Sequence, residues 1–210
     1  MQRQFITDNG QRTTDKRQIL IATKNVGKVR ELEKLLEESA FNLRSLNEFP
    51  DVTDVKETGA TFAENAVLKS REYSRKTNLW ALADDSGLEV EVLDGAPGVF
   101  SARYAGENAS DAEKIGKLLN ELQEKDNRSA RFVCVMALAN ETGEIIHLAE
   151  GICDGEISLS ISGTNGFGYD PIFIPEGFTQ TFGELSADVK REISHRARAI
   201  RKIIRFLRDF

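Results

Sequence analysis

Three stretches of the chain carry residue types suited to a phosphorylated ligand. The first is Thr23-Lys24-Asn25-Val26-Gly27-Lys28, a polar run that directly follows the apolar Ile19-Leu20-Ile21-Ala22. Amides and a hydroxyl at such a strand-to-helix turn face the positive end of a helix dipole, and Lys28 adds a full charge, so the turn suits an anion. Taken alone, it is also what an ordinary polar helix cap looks like. The second is a set of carboxylates: Asp84 and Asp85, beside Ser86, with Glu57 and Glu64 around the start of a helix. Hard divalent cations take oxygen ligands and complete their shell with water and substrate phosphate, so clustered acids suit Mg2+. Asp-Asp-Ser-Gly is equally good turn chemistry. The third is the glycine-rich Gly163 to Asp170, with Lys190 and Ser194-His195-Arg196 further on. Glycines around Phe167 let the backbone approach a flat ligand on which the ring can stack, and Asp170, Lys190, His195 and Arg196 are able to bond its edge. Each residue also has a plainer reading: Phe167 as a core aromatic, His195 as a solvent-facing residue at a helix start.

Absent motifs narrow the chemistry. The residue five before Gly27 is Ala22, so there is no Gly-x4-Gly-Lys-Ser/Thr loop, and no Gly-x-Ser-x-Gly elbow surrounds Ser86. With only His147 and His195, a multi-histidine zinc site is excluded. Cys134 and Cys153 are too far apart for a Cys-x-x-Cys site and sit in apolar runs, which reads as reduced core thiols. Arg30-Glu31-Leu32 has the start of a Nudix-like core but lacks the paired Glu and Gly that should follow.

The elements that must hold these residues follow from hydrophobic periodicity. The fold is expected to start at Gln18, with a strand over Ile19–Ala22 and a helix carrying Val29, Leu32, Leu35 and Leu36. Thr61-Phe62-Ala63-Glu64 has the capping-box pattern and predicts a helix to about Lys76, burying Phe62, Ala66, Val67 and Tyr73. Leu79–Ala83 and Leu88–Leu93 read as two strands connected by Asp84-Asp85-Ser86-Gly87, which places both acids at a strand end. A second capping box at Ser110 to Glu113 opens a helix with Ile115, Leu118, Leu119 and Leu122 on one face. Strands are expected at Ala130–Ala139 and Ile145–Glu150, then a third over the alternating Ile157–Ile161. One helix from Ser186 to Phe210 closes the chain, with Ala197, Ile200, Ile204 and Leu207 inward. Residues 1–17 offer almost nothing to bury and read as a flexible N-terminal extension.

Composition bounds the class. At 210 residues the chain is one domain of two lobes or two very small domains, on a scale of about 150 residues per domain. Hydrophobic residues at 40%, charged residues at 30%, 16 Gly and 4 Pro exclude collagen-like, disordered and disulfide-scaffold classes. The formal charge of -6 argues against stable nucleic-acid binding over the whole surface. The basic C-terminal helix keeps a nucleotide-binding or RNA-associated module without turnover as the rival reading. No apolar window nears the roughly 18 residues of a membrane span, and Met1–Gln18 has no signal-like apolar core, so the expectation is a cytoplasmic protein with no membrane partner.

Six segments together are specific. Residues 21–28 (Ile-Ala-Thr-Lys-Asn-Val-Gly-Lys), 57–66 (Glu-Thr-Gly-Ala-Thr-Phe-Ala-Glu-Asn-Ala), 83–88 (Ala-Asp-Asp-Ser-Gly-Leu), 95–106, 166–173 (Gly-Phe-Gly-Tyr-Asp-Pro-Ile-Phe) and 193–196 (Ile-Ser-His-Arg) occur in the order found in one family. The chain from Gln18 to about Leu207 resembles the inosine/xanthosine triphosphate pyrophosphatases. It differs in carrying Lys24 where many relatives have Gly, in Asn165, and in the extra N-terminus. The resemblance implies an elongated α/β fold, with a long mixed sheet flanked by helices and an active site in the cleft between two lobes of a single catalytic domain, 18–210, usually as a homodimer. It implies hydrolysis of ITP, dITP and XTP to monophosphate and pyrophosphate with Mg2+. Carried onto this sequence, Thr23, Lys24, Asn25, Val26, Gly27 and Lys28 would cradle the triphosphate. Asp85 would be the metal-linked catalytic carboxylate, with Lys28 assisting, Ser86 beside it and Glu57 a second metal-side acid. Phe167, Gly168, Tyr169, Asp170, Lys190, a protonated His195 and Arg196 would form the base pocket. A related alternative is a pyrophosphatase of modified pyrimidine triphosphates.

Overall fold

The computed structural model describes residues 18–37 and 41–209; the expected extension at residues 1–17 lies outside them. A mixed sheet forms the centre, with strands β1 (Gln18–Ile21), β2 (Asn42–Ser45), β3 (Trp80–Val90), β4 (Ser129–Ala139), β5 (Ile145–Ile157) and β6 (Phe173–Pro175). Their spatial order is β2-β1-β3-β4-β5-β6. β1 is parallel to both β2 and β3, and the pairs from β3 onward are antiparallel. The helices are α1 (Val26–Leu36), α2 (Phe62–Thr77), α3 (Asp111–Glu121), α4 (Ala187–Ile193) and α5 (His195–Asp209). This is the α/β class with a mixed sheet that the sequence led us to expect.

Local sequence explains where the helices begin. Thr61 Oγ1 accepts from the Glu64 amide at 3.1 Å while the Glu64 carboxylate accepts from the Thr61 amide, so two orphan donors of α2 are satisfied. Ser110 and Glu113 do the same for α3, whose Ile115 and Leu118 are buried. β1 has no solvated face: Ile19, Leu20 and Ile21 are all buried, as a central parallel strand requires. Among the described residues no helix is long and apolar enough to cross a membrane.

Alternation along β3 and β4 divides the interior. On one face Leu82, Cys134, Met136 and Leu138 pack with Leu32 of α1 and Ile200 and Ile203 of α5. Further along that face Leu88, Phe132, Phe173 and Phe182 pack with α3. The opposite face carries Ala81 and Ala83 against Tyr73, and Val133, Val135 and Ala137 against Phe62 and Ala66 of α2. Asp84 and Ser86 fall between the first two clusters, so a polar patch interrupts an otherwise apolar face.

Three expectations about elements are corrected. Asp84-Asp85-Ser86-Gly87 is not a connection between strands: β3 runs through it, paired without a break from Ala81↔Ala139 to Val90↔Ala130. Tertiary pairing overrides turn propensity here, and Gly87 has another reason. A Cβ at Gly87 would lie 2.4 Å from both the Gly98 carbonyl oxygen and Ser101 Oγ, so the glycine lets residues 98–103 lie against the strand. The separate strand expected over Ile157–Ile161 does not form: β5, expected to end at Glu150, runs on to Ile157 and stops there. Arg128 bonds the Ile157 and Ser158 carbonyls at 2.7 and 2.8 Å, and Leu159 and Ile161 are left exposed. The single C-terminal helix is two helices. Ser194 is extended (φ -65°, ψ 156°) and its Oγ accepts from the Ala197 amide at 3.2 Å, ending α4 and capping α5. The break turns His195 and Arg196 inward.

Candidate active site

The turn after β1 is built as a helix cap. Asn25 Oδ1 accepts from the Lys28 amide at 3.0 Å, and Thr23 Oγ1 accepts from the Asn25 amide at 3.2 Å. The amides of Val26 and Gly27, first and second in α1, lack intrahelical acceptors by helix geometry. Lys24, Asn25 and Val26 are exposed, and Lys24 pairs with Asp54 at 2.5 Å. Lys28 turns inward, its Nζ 3.3 Å from Asp84 Oδ1.

Asp84 is the centre of a buried network. Its Oδ2 accepts from Arg196 Nε and Nη2, both at 3.2 Å, and from Ser86 Oγ at 3.2 Å. Burial acts to raise the Asp84 carboxyl, but Lys28, Arg196 and Lys69 outweigh it and hold the group well below the usual carboxylate range. Arg196 also donates to Glu31 Oε2 and to Ser86 Oγ, the latter at 2.9 Å. Glu31 in turn accepts from Lys190 at 2.6 Å, and Lys190 donates to Asp170 at 2.5 Å. Asp170 Oδ2 accepts from the Phe167 amide at 2.7 Å, which fixes the glycine-rich loop. Lys190 Nζ lies 4.9 Å and the Arg196 guanidinium carbon 5.8 Å from the centre of the Phe167 ring.

The phosphate-like turn and the loop meet directly. A Cβ at Gly27 would lie 2.8 Å from Phe167 Cδ1, so the start of α1 and the aromatic ring are in contact through a missing side chain. The rest of the loop is anchored away from that contact. The Gly168 amide donates to Asp111 at 2.7 Å, and the buried Tyr169 donates its hydroxyl to the Ser101 carbonyl at 3.0 Å. His195 stacks on Phe132, with ring centroids 4.7 Å apart. It is buried, not solvent-facing, and its Nδ1 has no hydrogen-bond partner among the described residues. Burial, reinforced by Arg196 and Lys190, pushes its pKa well below the usual histidine value, so the expected imidazolium is a neutral imidazole at pH 7.

Asp85 faces α2 and has a different environment. Lys69 Nζ donates to Asp85 Oδ1 at 2.9 Å and to Glu57 Oε1 at 2.6 Å, and Asn65 Nδ2 donates to Asp85 Oδ2 at 3.3 Å. Burial raises the Asp85 carboxyl, and Lys69 and Lys28 only partly oppose it. Burial likewise acts to raise Glu57, but Lys69, Lys28 and Arg103 hold it low. Arg103 reaches Glu57 at 3.6 Å from the segment that Ser101 fastens to β3. Glu64 takes no part: it is an exposed cap residue.

Among the described residues no group of three or more His, Cys, Asp or Glu side chains is arranged to hold a metal. Asp85 and Glu57 nonetheless converge on one cation, the Lys69 ammonium. Two hard-oxygen donors aimed at one point fit a Mg2+ whose shell is completed by water and substrate phosphate, and not a closed protein cage.

Lys28, Ser86, Phe167, Asp170, Lys190 and Arg196 are therefore joined through contacts or short bridges by way of Asp84 and Glu31, whereas Asp85, on the other face of β3, contacts Lys69 and Asn65 and meets that network through the charge of Lys28. Lys24 and Val26 stay at the rim. Glu31, Asn65, Lys69 and Arg103 were not singled out from sequence, although Asn65 and Lys69 lie on the buried stripe of α2 with Phe62, Ala66 and Tyr73. A lysine on the core-facing stripe of an amphipathic helix is the signal that points to it.

Known proteins resemble this chain in sequence and in fold. A model of the Ham1 family matches residues 19–206. A Bacillus cereus protein named dITP/XTP pyrophosphatase is 48% identical over 190 residues, covering 89% of this chain and 93% of its own. The solved HAM1 protein of Coxiella burnetii superposes with a TM-score of 0.85 at 43% identity, covering 92% of this chain and 100% of that one. The Ham1 protein of Staphylococcus aureus does so at 0.82 and 42% identity, covering 92% and 99%. With nearly its whole described length matched in sequence and in fold, this chain belongs to the Ham1 family.

Proposed function

We propose that this protein hydrolyses non-standard purine nucleoside triphosphates, ITP, dITP and XTP, to the monophosphate and pyrophosphate. The observation that carries the reading is the continuous path from an anion-suited turn to an aromatic loop. Gly27 touches Phe167, and Lys28, Asp84 and Arg196 form one chain of charges between them. The name of the Bacillus cereus relative, dITP/XTP pyrophosphatase, supports it. In this reading the polar patch between the two core clusters is the cleft between two lobes of a single domain, 18–210.

The triphosphate lies with its tail against Thr23, Asn25, the amides of Val26 and Gly27, and Lys28, whose charge offsets the phosphate oxygens. Asp85 and Glu57 are the residues that would hold Mg2+, which supplies charge neutralisation and orientation of the phosphates. Asp85 takes the proton of the attacking water at the α-phosphorus; a carboxyl raised by burial is a better base than an ordinary aspartate at neutral pH. At the other end Phe167 stacks on the purine. Lys190 and Arg196 face its 6-position, where a keto oxygen accepts and an adenine amino group does not. Glu31, Asp170 and Asp84 hold both cations at that end, so an adenine amino group would bring donor against donor there, which favours the keto purines.

The test is a panel of ITP, dITP, XTP, GTP and ATP with Mg2+, scored for pyrophosphate and monophosphate. Pyrophosphate release with ITP, dITP and XTP well ahead of ATP is expected. Equal kcat/KM for ATP and ITP would overturn the account of the pocket, and the absence of any turnover would overturn the reaction.

A further inference from the structure

Lys69 stands where a divalent cation between Asp85 and Glu57 would have to go. Its side chain is 9% exposed, and its ammonium bridges the two carboxylates at 2.9 and 2.6 Å. The remaining oxygens also face this chain: Asn65 donates to Asp85 Oδ2, and Arg103 lies 3.6 Å from Glu57 Oε2. Every oxygen of the pair thus already faces a donor or a cation of the chain.

A hydrated divalent ion approaching the pair meets a buried ammonium, and like charges repel far more strongly in such a site than in water. Mg2+ also gives up its waters reluctantly. A triphosphate changes both conditions, because its oxygens ligate the metal and give Lys69 and Arg103 another anion to face.

We propose that Lys69 is an internal counter-cation that keeps the Asp85–Glu57 pair closed to free divalent metal, so that metal enters only together with a polyphosphate. The proposal rests on the assignment of Asp85 and Glu57 as the metal-side acids and adds a role for Lys69 in the order of binding.

Mn2+ alone is the probe, titrated into the nucleotide-free full chain and followed by electron paramagnetic resonance of the free ion. Wild type should bind weakly. Lys69→Met and Lys69→Gln should each bind roughly tenfold more tightly or better, and adding Asp85→Asn to Lys69→Met should abolish the gain. Tripolyphosphate, which has neither base nor sugar, should create a tight ternary Mn2+ site in wild type. Tight Mn2+ binding by wild type without polyphosphate, folded variants that bind no better, or no ternary site would each overturn the proposal. Circular dichroism melts establish which variants fold, and the wild-type arms decide the matter if neither does. No arm involves turnover of a nucleotide, so failure here is separable from failure in the triphosphate panel.

Discussion

Asp84 and Asp85 are chain neighbours, yet β3 sends them to opposite faces of the sheet and into opposite electrostatic situations. Asp84 lies 1% exposed between α1 and α5, clamped by Arg196 and Lys28, and stays ionised. Asp85 faces α2, shares Lys69 with Glu57, and is raised by burial. The difference shows how one strand holds two neighbouring carboxyls in opposite charge environments, one kept ionised and the other raised, and it is the raised one to which the proposed function gives the reactive role. The face with many compensating charges holds the geometry, and the face with few leaves a carboxyl able to take a proton.

The largest effect expected from breaking this contrast is on rate. Asp85→Asn should lower kcat for ITP by about 10²–10⁴, the usual range for a general base, with thermal stability kept; wild-type turnover in that variant removes Asp85 from its role. On the other face the damage should fall on stability. Arg196→Met leaves Asp84 buried without its main partner, and urea unfolding should show a loss of about 3–5 kcal/mol.

The pH dependences should separate the two acids further. Asp84 is depressed from 3.8 in the fold. Its contribution is therefore present above that value and fades as pH falls below it, so Asp84→Asn should flatten the acid side of the stability curve measured by urea midpoints. Asp85 is raised from 3.8, so its contribution runs the other way: it is lost as pH rises through the folded value. The acid limb of kcat/KM should lie above 3.8 and be absent in Asp85→Asn. The smallest effect is expected away from both faces. Lys24→Ala removes an ion pair whose partners are 50% and 70% exposed, and differential scanning calorimetry should show no measurable shift.

Much of the architecture was legible because it is local. The capping boxes at Thr61 and Ser110 and the apolar run of β1 describe their own elements, and the structure agrees at each. The errors arose where a local signal was outvoted. Asp-Asp-Ser-Gly has turn chemistry, but the unbroken ladder with β4 holds it extended, and Lys69 and Arg196 arrive from distant helices to compensate its acids. The basic C-terminal run has continuous helical periodicity, but the Ser194 cap breaks it, and only then do His195 and Arg196 enter the interior.

By itself the sequence determined the residue types, the order of the motifs and the class of fold, since hydrophobic period, caps and glycine-rich turns act over a few residues. Only the tertiary structure decided which carboxylate is compensated and which is raised, that His195 is neutral, and that Lys69 joins Asp85 to Glu57. Those properties depend on burial and on charges brought together from positions far apart along the chain, and Coulomb interactions at 3 Å follow from packing and not from spacing in sequence.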